Sequence, residues 1–225
     1  MLIAEELLLI ALDDASGKEA LSSSGYGMLD YALAGALLLD LSLAEALEVR
    51  DGKVQATGAS ADPLLADALA AVRESGKPRA AKHWVQRLPK ALKPMRARIA
   101  ERLVEAGVLR EERSKVLGLF SRTRYPEADP APERELRARL EQTLVTGADP
   151  DPRTALLVSL LVPLDLVGKV VPKEAHRHAR RRAKEVADQG VVGTGLERVV
   201  QDMQAAVMVS VIAATTTTAA TSGSN

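Results

Sequence analysis

The sequence predicts a mainly α protein: a single globular domain with a buried helical core, surrounding amphipathic helices and a protruding β-hairpin. Three observations carry that expectation. Of 225 residues, 47% are apolar and 27% charged, with 30 basic side chains balancing 30 acidic ones, the make-up of a folded, soluble chain. Trp 1, Tyr 3 and Phe 1 are all its aromatics, so the core must be Leu, Val, Ile and Ala, which suits helices better than an aromatic-rich sandwich. Cysteine is absent, which removes disulfides, thiolate nucleophiles and Cys-based zinc sites and fits a reducing, cytoplasmic compartment.

The elements follow in order. Residues 2–12 are apolar around most of the circumference and end at Asp13-Asp14-Ala15-Ser16-Gly17, which reads as a short buried helix and a turn. The run has no basic flank, carries Glu5 and Glu6, and is too short to span, so it is neither signal peptide nor membrane helix. A second buried helix runs from Gly25 to about Leu43. Alternation on both sides of Asp51-Gly52 predicts a β-hairpin. Asp62-Pro63 is an N-cap with a proline at the first helical position, opening a helix that lasts to Ser75-Gly76. Trp84, Val85 and Leu88 give a short helix, and Pro94 starts another that Gly107 stops. Residues 108–125 read as a second hairpin, with Glu111-Glu112-Arg113-Ser114 as its bend and 116–120 as the start of its return strand.

After a proline-rich loop at 126–132, helices are expected at 133–146, at 154–166 with a bend or break at Pro163, at 172–189 and at 196–214. The domain thus covers 2–214, and 215–225 forms a flexible polar tail.

Net charge zero conceals a segregation. Residues 1–76 hold 4 basic and 13 acidic side chains, 77–125 hold 14 and 4, and 126–225 hold 12 and 13. Within the middle part, 77–100 contains eight basic residues and no acid. Two readings remain open: a face that pairs with the acidic opening third, or a surface that attracts an anionic partner.

Catalytic or metal chemistry finds little to work with. His176 and His178 lie roughly 200° apart on a helix, beside Arg177 and Arg180, and read as solvated. Glu5-Glu6 and Asp13-Asp14 read as capping and solvation, and Gly190, Gly193 and Gly195 as a loop between helices. The expectation is a protein that is not an enzyme and carries no cofactor.

The stronger constellation is basic. Lys93 and Arg96 are three apart where Pro94 opens a helix, so both could grip a phosphate beside free backbone N–H groups, with Arg98 close by. The apolar run 116–120, with Leu117, Leu119 and Phe120, is flanked by Lys115, Arg122 and Arg124. An apolar tip with a basic collar suits a bilayer or a second copy of the chain; the alternative is a wing packed on the core. The helix from Pro94 followed by a hairpin also resembles the recognition helix and wing of a DNA binder, with Arg96, Arg98 and Arg102 facing phosphates.

Three stretches carry a family resemblance: Glu5-Glu6-Leu7-Leu8-Leu9-Ile10-Ala11-Leu12-Asp13-Asp14, Ala32-Leu33-Ala34-Gly35-Ala36-Leu37-Leu38-Leu39-Asp40-Leu41, and Arg98-Ile99-Ala100-Glu101-Arg102-Leu103-Val104-Glu105-Ala106-Gly107-Val108-Leu109. In this order and spacing the chain resembles the Golgi phosphoprotein 3 family, in a bacterial, actinobacterial-type form. The resemblance implies a helical domain with a protruding hairpin, no catalysis, and peripheral binding at the cytoplasmic face of a membrane through phosphatidylinositol 4-phosphate. It places the lipid site on Lys93 and Arg96, with its aromatic at Gly25 or, with one residue of slip, Tyr26, and with Ala34 where the family has an arginine. It assigns the hairpin to membrane insertion or a homo-oligomer contact, and involves no nucleic acid.

Overall fold

A helix that is apolar all round has no face to offer to water. In the computed structural model such a helix, α1 (Ile3–Ala11), is buried along its whole length. The structure describes residues 1–18, 23–116, 120–189 and 197–221, and their side chains apart from 23–27, 114–116, 120–122, 197–199 and 214–221. The chain continues through α2 (Ser23–Leu43), the hairpin β1 (Leu47–Arg50) and β2 (Lys53–Ala56), α3 (Pro63–Glu74), α4 (Ala81–Ala91) and α5 (Met95–Glu105). A second hairpin, β3 (Glu112–Val116) and β4 (Phe120–Arg124), leads to α6 (Ala131–Leu144), α7 (Pro152–Leu161), α8 (His176–Gln189) and α9 (Glu197–Thr221). Single 3-10 turns at Val167–Lys169 and Lys173–Ala175 join α7 to α8. One continuous apolar cluster runs from Ile3 to Val211, with α2 at its centre against α1, α4 and α9.

Both ends of α1 are closed by side chains from distant parts of the chain. A helix leaves its first N–H and last C=O groups without partners. Here the Asp40 carboxylate, on α2, accepts from the N–H groups of Ile3 at 2.9 Å and Ala4 at 3.3 Å. At the other end Lys169 Nζ donates to the carbonyls of Ile10 at 2.9 Å and Leu12 at 2.8 Å. Glu5 and Glu6 are 5% and 3% exposed, so the expectation that they are solvated is corrected. Glu5 does cap, accepting from Leu2 N–H at 2.6 Å, and each acid is also held by arginine: Glu5 by Arg102, Glu6 by Arg139 and Arg153.

Local signals account for most boundaries. Asp51 and Gly52 take positive φ of 50° and 71°, as a two-residue hairpin needs, and Arg50 pairs with Lys53 across them. Asp62 Oδ1 accepts from the N–H groups of Leu64 and Leu65 at 3.0 and 3.1 Å, with Pro63 first in α3.

Two expectations are corrected, for the second hairpin and for the last helix. The second hairpin does not bend at 111–114; Glu112 to Val116 is a strand paired with Phe120 to Arg124, and the connection falls at 117–119, outside the described residues. α7 ends at Leu161, so the bend or break expected at Pro163 is a break, as a proline that cannot continue the ladder imposes. α9 runs on to Thr221, into the stretch assigned to a tail.

Among the described residues β3 and β4 pack chiefly on one another, which makes the hairpin a projection. Its base is stitched to the turn after α1: Glu127 N–H donates to Asp14 O at 3.0 Å and Tyr125 N–H to Gly17 O at 3.4 Å. Gly17 has φ of +58°, and a Cβ there would stand 2.3 Å from Pro126 N, so the stitch needs glycine.

Candidate functional site

The segment joining α4 to α5 forms one wall of a cleft of about 520 Å³, with Asp30 and Tyr31 of α2 on the other side. The sequence places cations here because α4 buries Ala81, Trp84, Val85 and Leu88 and leaves its remaining positions to solvent. Lys90 sits in the last turn of α4, Lys93 in the link, and Arg96 in the first turn of α5; all three line the cleft. No side chain caps α5, and Met95, Arg96 and Ala97, whose N–H groups open the helix, also face the cavity.

The three cations are not equivalent. Arg96 Nε meets Asp30 Oδ1 at 2.5 Å, so much of its charge is returned to the protein. Lys90 and Lys93 are exposed and have no ion-pair partner among the described residues.

Arg98 does not join them. It turns to α3, where Nη2 meets Asp67 Oδ2 at 2.5 Å, and it lines a different cleft. Arg102 lies between Glu5 at 2.6 Å and Asp62 at 2.7 Å. Every arginine of α5 is therefore paired with a carboxylate of the opening third, so this helix lacks the free basic face that DNA recognition would need. Tyr26, Leu117, Leu119 and Phe120 have side chains outside the described residues. Tyr31, half-buried in the cleft wall, is an aromatic the sequence reading passed over, as it did Lys90; their signal was spacing from Arg96, visible once α2 is set beside α4.

With that geometry in view, the comparison with known proteins is direct: residues 3–203 match the family model described as Golgi phosphoprotein 3 (GPP34). The chain belongs to the GPP34 family. Lys93 and Arg96, the positions the resemblance singled out, do share one cleft, whereas Ala34 is fully buried within α2. Among the described residues no helix is long and apolar enough to cross a membrane, and no group of three His, Asp or Glu side chains could hold a metal ion.

Proposed function

We propose that this GPP34-family chain is a non-enzymatic peripheral membrane protein. It takes an anionic, phosphate-bearing lipid headgroup, of the phosphatidylinositol 4-phosphate kind, into the cleft beside Lys90, Lys93 and the start of α5. It does so at the cytoplasmic face of a membrane. One observation carries the reading: two exposed lysines without carboxylate partners among the described residues stand beside an uncapped helix N-terminus. Each basic side chain near an anionic surface contributes about 1 kcal/mol, and helix N–H groups favour phosphate further. Arg96, steadied by Asp30, orients the headgroup, and Tyr31 supplies a flat wall. The projecting hairpin, whose sequence carries Leu117, Leu119 and Phe120, adds shallow insertion or contact with a second copy.

The test is cosedimentation with vesicles containing phosphatidylinositol 4-phosphate at about 150 mM salt, where long-range attraction is screened. Lys90→Glu with Lys93→Glu should abolish binding, and replacing Leu117, Leu119 and Phe120 by Ser should weaken it. Binding that survives the charge reversal would remove this cleft from consideration.

A further inference from the structure

α4 has a second flank. There a cleft of about 650 Å³ opens toward α3, lined on the α4 side by Arg79, His83 and Arg87 and on the α3 side by Asp67, Glu74 and Ser75. Residues 79, 83 and 87 are four apart, so their side chains stack along one helical face. Arg79 precedes α4, yet it is fixed in place, because its carbonyl accepts from Val54 N–H at 2.8 Å. Buried Trp84 anchors the next position, and the His83 ring meets it edge-on with centroids 4.9 Å apart.

Charge in this cleft is only partly balanced. Asp67 is already bound to Arg98 at 2.5 Å, which leaves Glu74 as the other carboxylate among the lining residues. The side chains of Arg79 and Arg87 are exposed, and neither guanidinium has a hydrogen-bond or ion-pair partner among the described residues.

We propose that this cleft binds a hydroxyl-bearing phosphate monoester. The guanidinium groups of Arg79 and Arg87 each present paired N–H donors to the phosphate oxygens, and His83 between them gives a third donor. A guanidinium fork matches phosphate geometry in a way a lysine does not. Glu74 and the Ser75 hydroxyl, on the facing wall, accept from the hydroxyls of a polyol or sugar carried by the phosphate. The site is separate from the one proposed above, since Lys93 and Arg96 line the other cleft and neither lines this one.

His83 supplies the readout. Burial, then the charges of Arg79 and Arg87, hold its imidazole below the ordinary value. A dianionic phosphate seated between those arginines would reverse that bias, because an adjacent negative charge favours the imidazolium. The charged groups lining the cleft around the ring are Arg79 and Arg87 on its own side, and Asp67, Glu74 and Arg98 across it.

The experiment follows the imidazole of His83 by NMR on the full chain through a pH titration. Glycerol 3-phosphate is compared with sodium chloride at equal ionic strength, and His83→Gln identifies the signal. With glycerol 3-phosphate the His83 midpoint should rise to or above the ordinary imidazole value, while His176 and His178 stay put. Arg79→Gln with Arg87→Gln, both exposed and so expected to fold, should remove the response and weaken binding roughly tenfold or more. A response that survives the double substitution overturns the proposal.

Vesicles of phosphatidylcholine with lysophosphatidic acid, a phosphate monoester that keeps one free hydroxyl, distinguish a lipid source from a soluble one. A His83 response to either probe supports the shared phosphate monoester chemistry, and a response to neither overturns it. Lys90→Glu with Lys93→Glu should keep the glycerol 3-phosphate response, so failure of the membrane reading and failure of this one are told apart.

Discussion

Asp40 shows how one side chain ties function-bearing elements to the core. It sits 5% exposed, accepts from two N–H groups that open α1, and lies 3.6 Å from Arg153 Nη1. Burial pushes its carboxyl up to about 7; the Ile3 and Ala4 N–H groups and Arg153 oppose that rise, and Glu6 adds to it. A pKa raised in the folded state means that the stabilising contribution is complete below the unfolded value near 4 and is lost as pH climbs through 7. Integrated over that window the loss is on the order of 4 kcal/mol. Asp40→Asn keeps an oxygen for the Ile3 N–H and cannot ionise. Urea unfolding should therefore show the variant gaining on the natural protein as pH rises from 4 to 8. Parallel stability curves for the two proteins would refute this. Nothing in Leu39-Asp40-Leu41 announces such a role; the sequence shows an acid in a helix, and only the arrival of α1 at its side makes it a cap.

Elements were legible where periodicity and punctuation agree. α3 could be bounded from Asp62-Pro63 and Ser75-Gly76, and the first hairpin from Asp51-Gly52, because cap and turn chemistry is local. The bend of the second hairpin was misplaced because Glu111-Glu112-Arg113-Ser114 is the more polar stretch, yet Glu112, Arg113 and Ser114 pair with Arg124, Thr123 and Arg122 as part of a strand. Close approach between helices leaves less of a mark. A Cβ on Gly35 of α2 would stand 2.5 Å from Val207 Cγ1 of α9, so these two helices touch where no side chain intervenes. Alanine at a helical glycine is ordinarily favourable by about 1 kcal/mol, whereas overpacking costs about 1–3 kcal/mol. Gly35→Ala should thus lower the urea midpoint, and adding Val207→Ala should give back part of the loss, the two changes being coupled. A stabilised Gly35→Ala protein would mean that α2 and α9 are not pressed together at this point.

Across the whole molecule the segregated charge resolves into two populations, and this is what a count along the chain cannot reveal. The acidic opening third meets α5: Asp30 takes Arg96, Asp67 takes Arg98, and Glu5 with Asp62 takes Arg102. The cations of α4, Lys82, Arg87 and Lys90, find no such partners among the described residues and stay in solvent. Pairing depends on which helix lies beside α1, α2 and α3, a fact of packing rather than of composition. The two populations should separate by experiment. Arg102→Leu strands the buried Glu5 carboxylate, and breaking a buried pair in this way costs about 3–5 kcal/mol. Its remaining folded fraction should bind anionic vesicles as the natural protein does. Lys82→Gln with Lys90→Gln removes exposed charges, so stability should stay within about 0.5 kcal/mol. Vesicle affinity should fall roughly tenfold or more, at about 1 kcal/mol for each charge. Equilibrium unfolding and vesicle sedimentation on the same two variants check both halves. Should Arg102→Leu lose vesicle binding while still folded, or should the lysine pair prove dispensable for it, the division between structural and membrane-facing cations would be wrong.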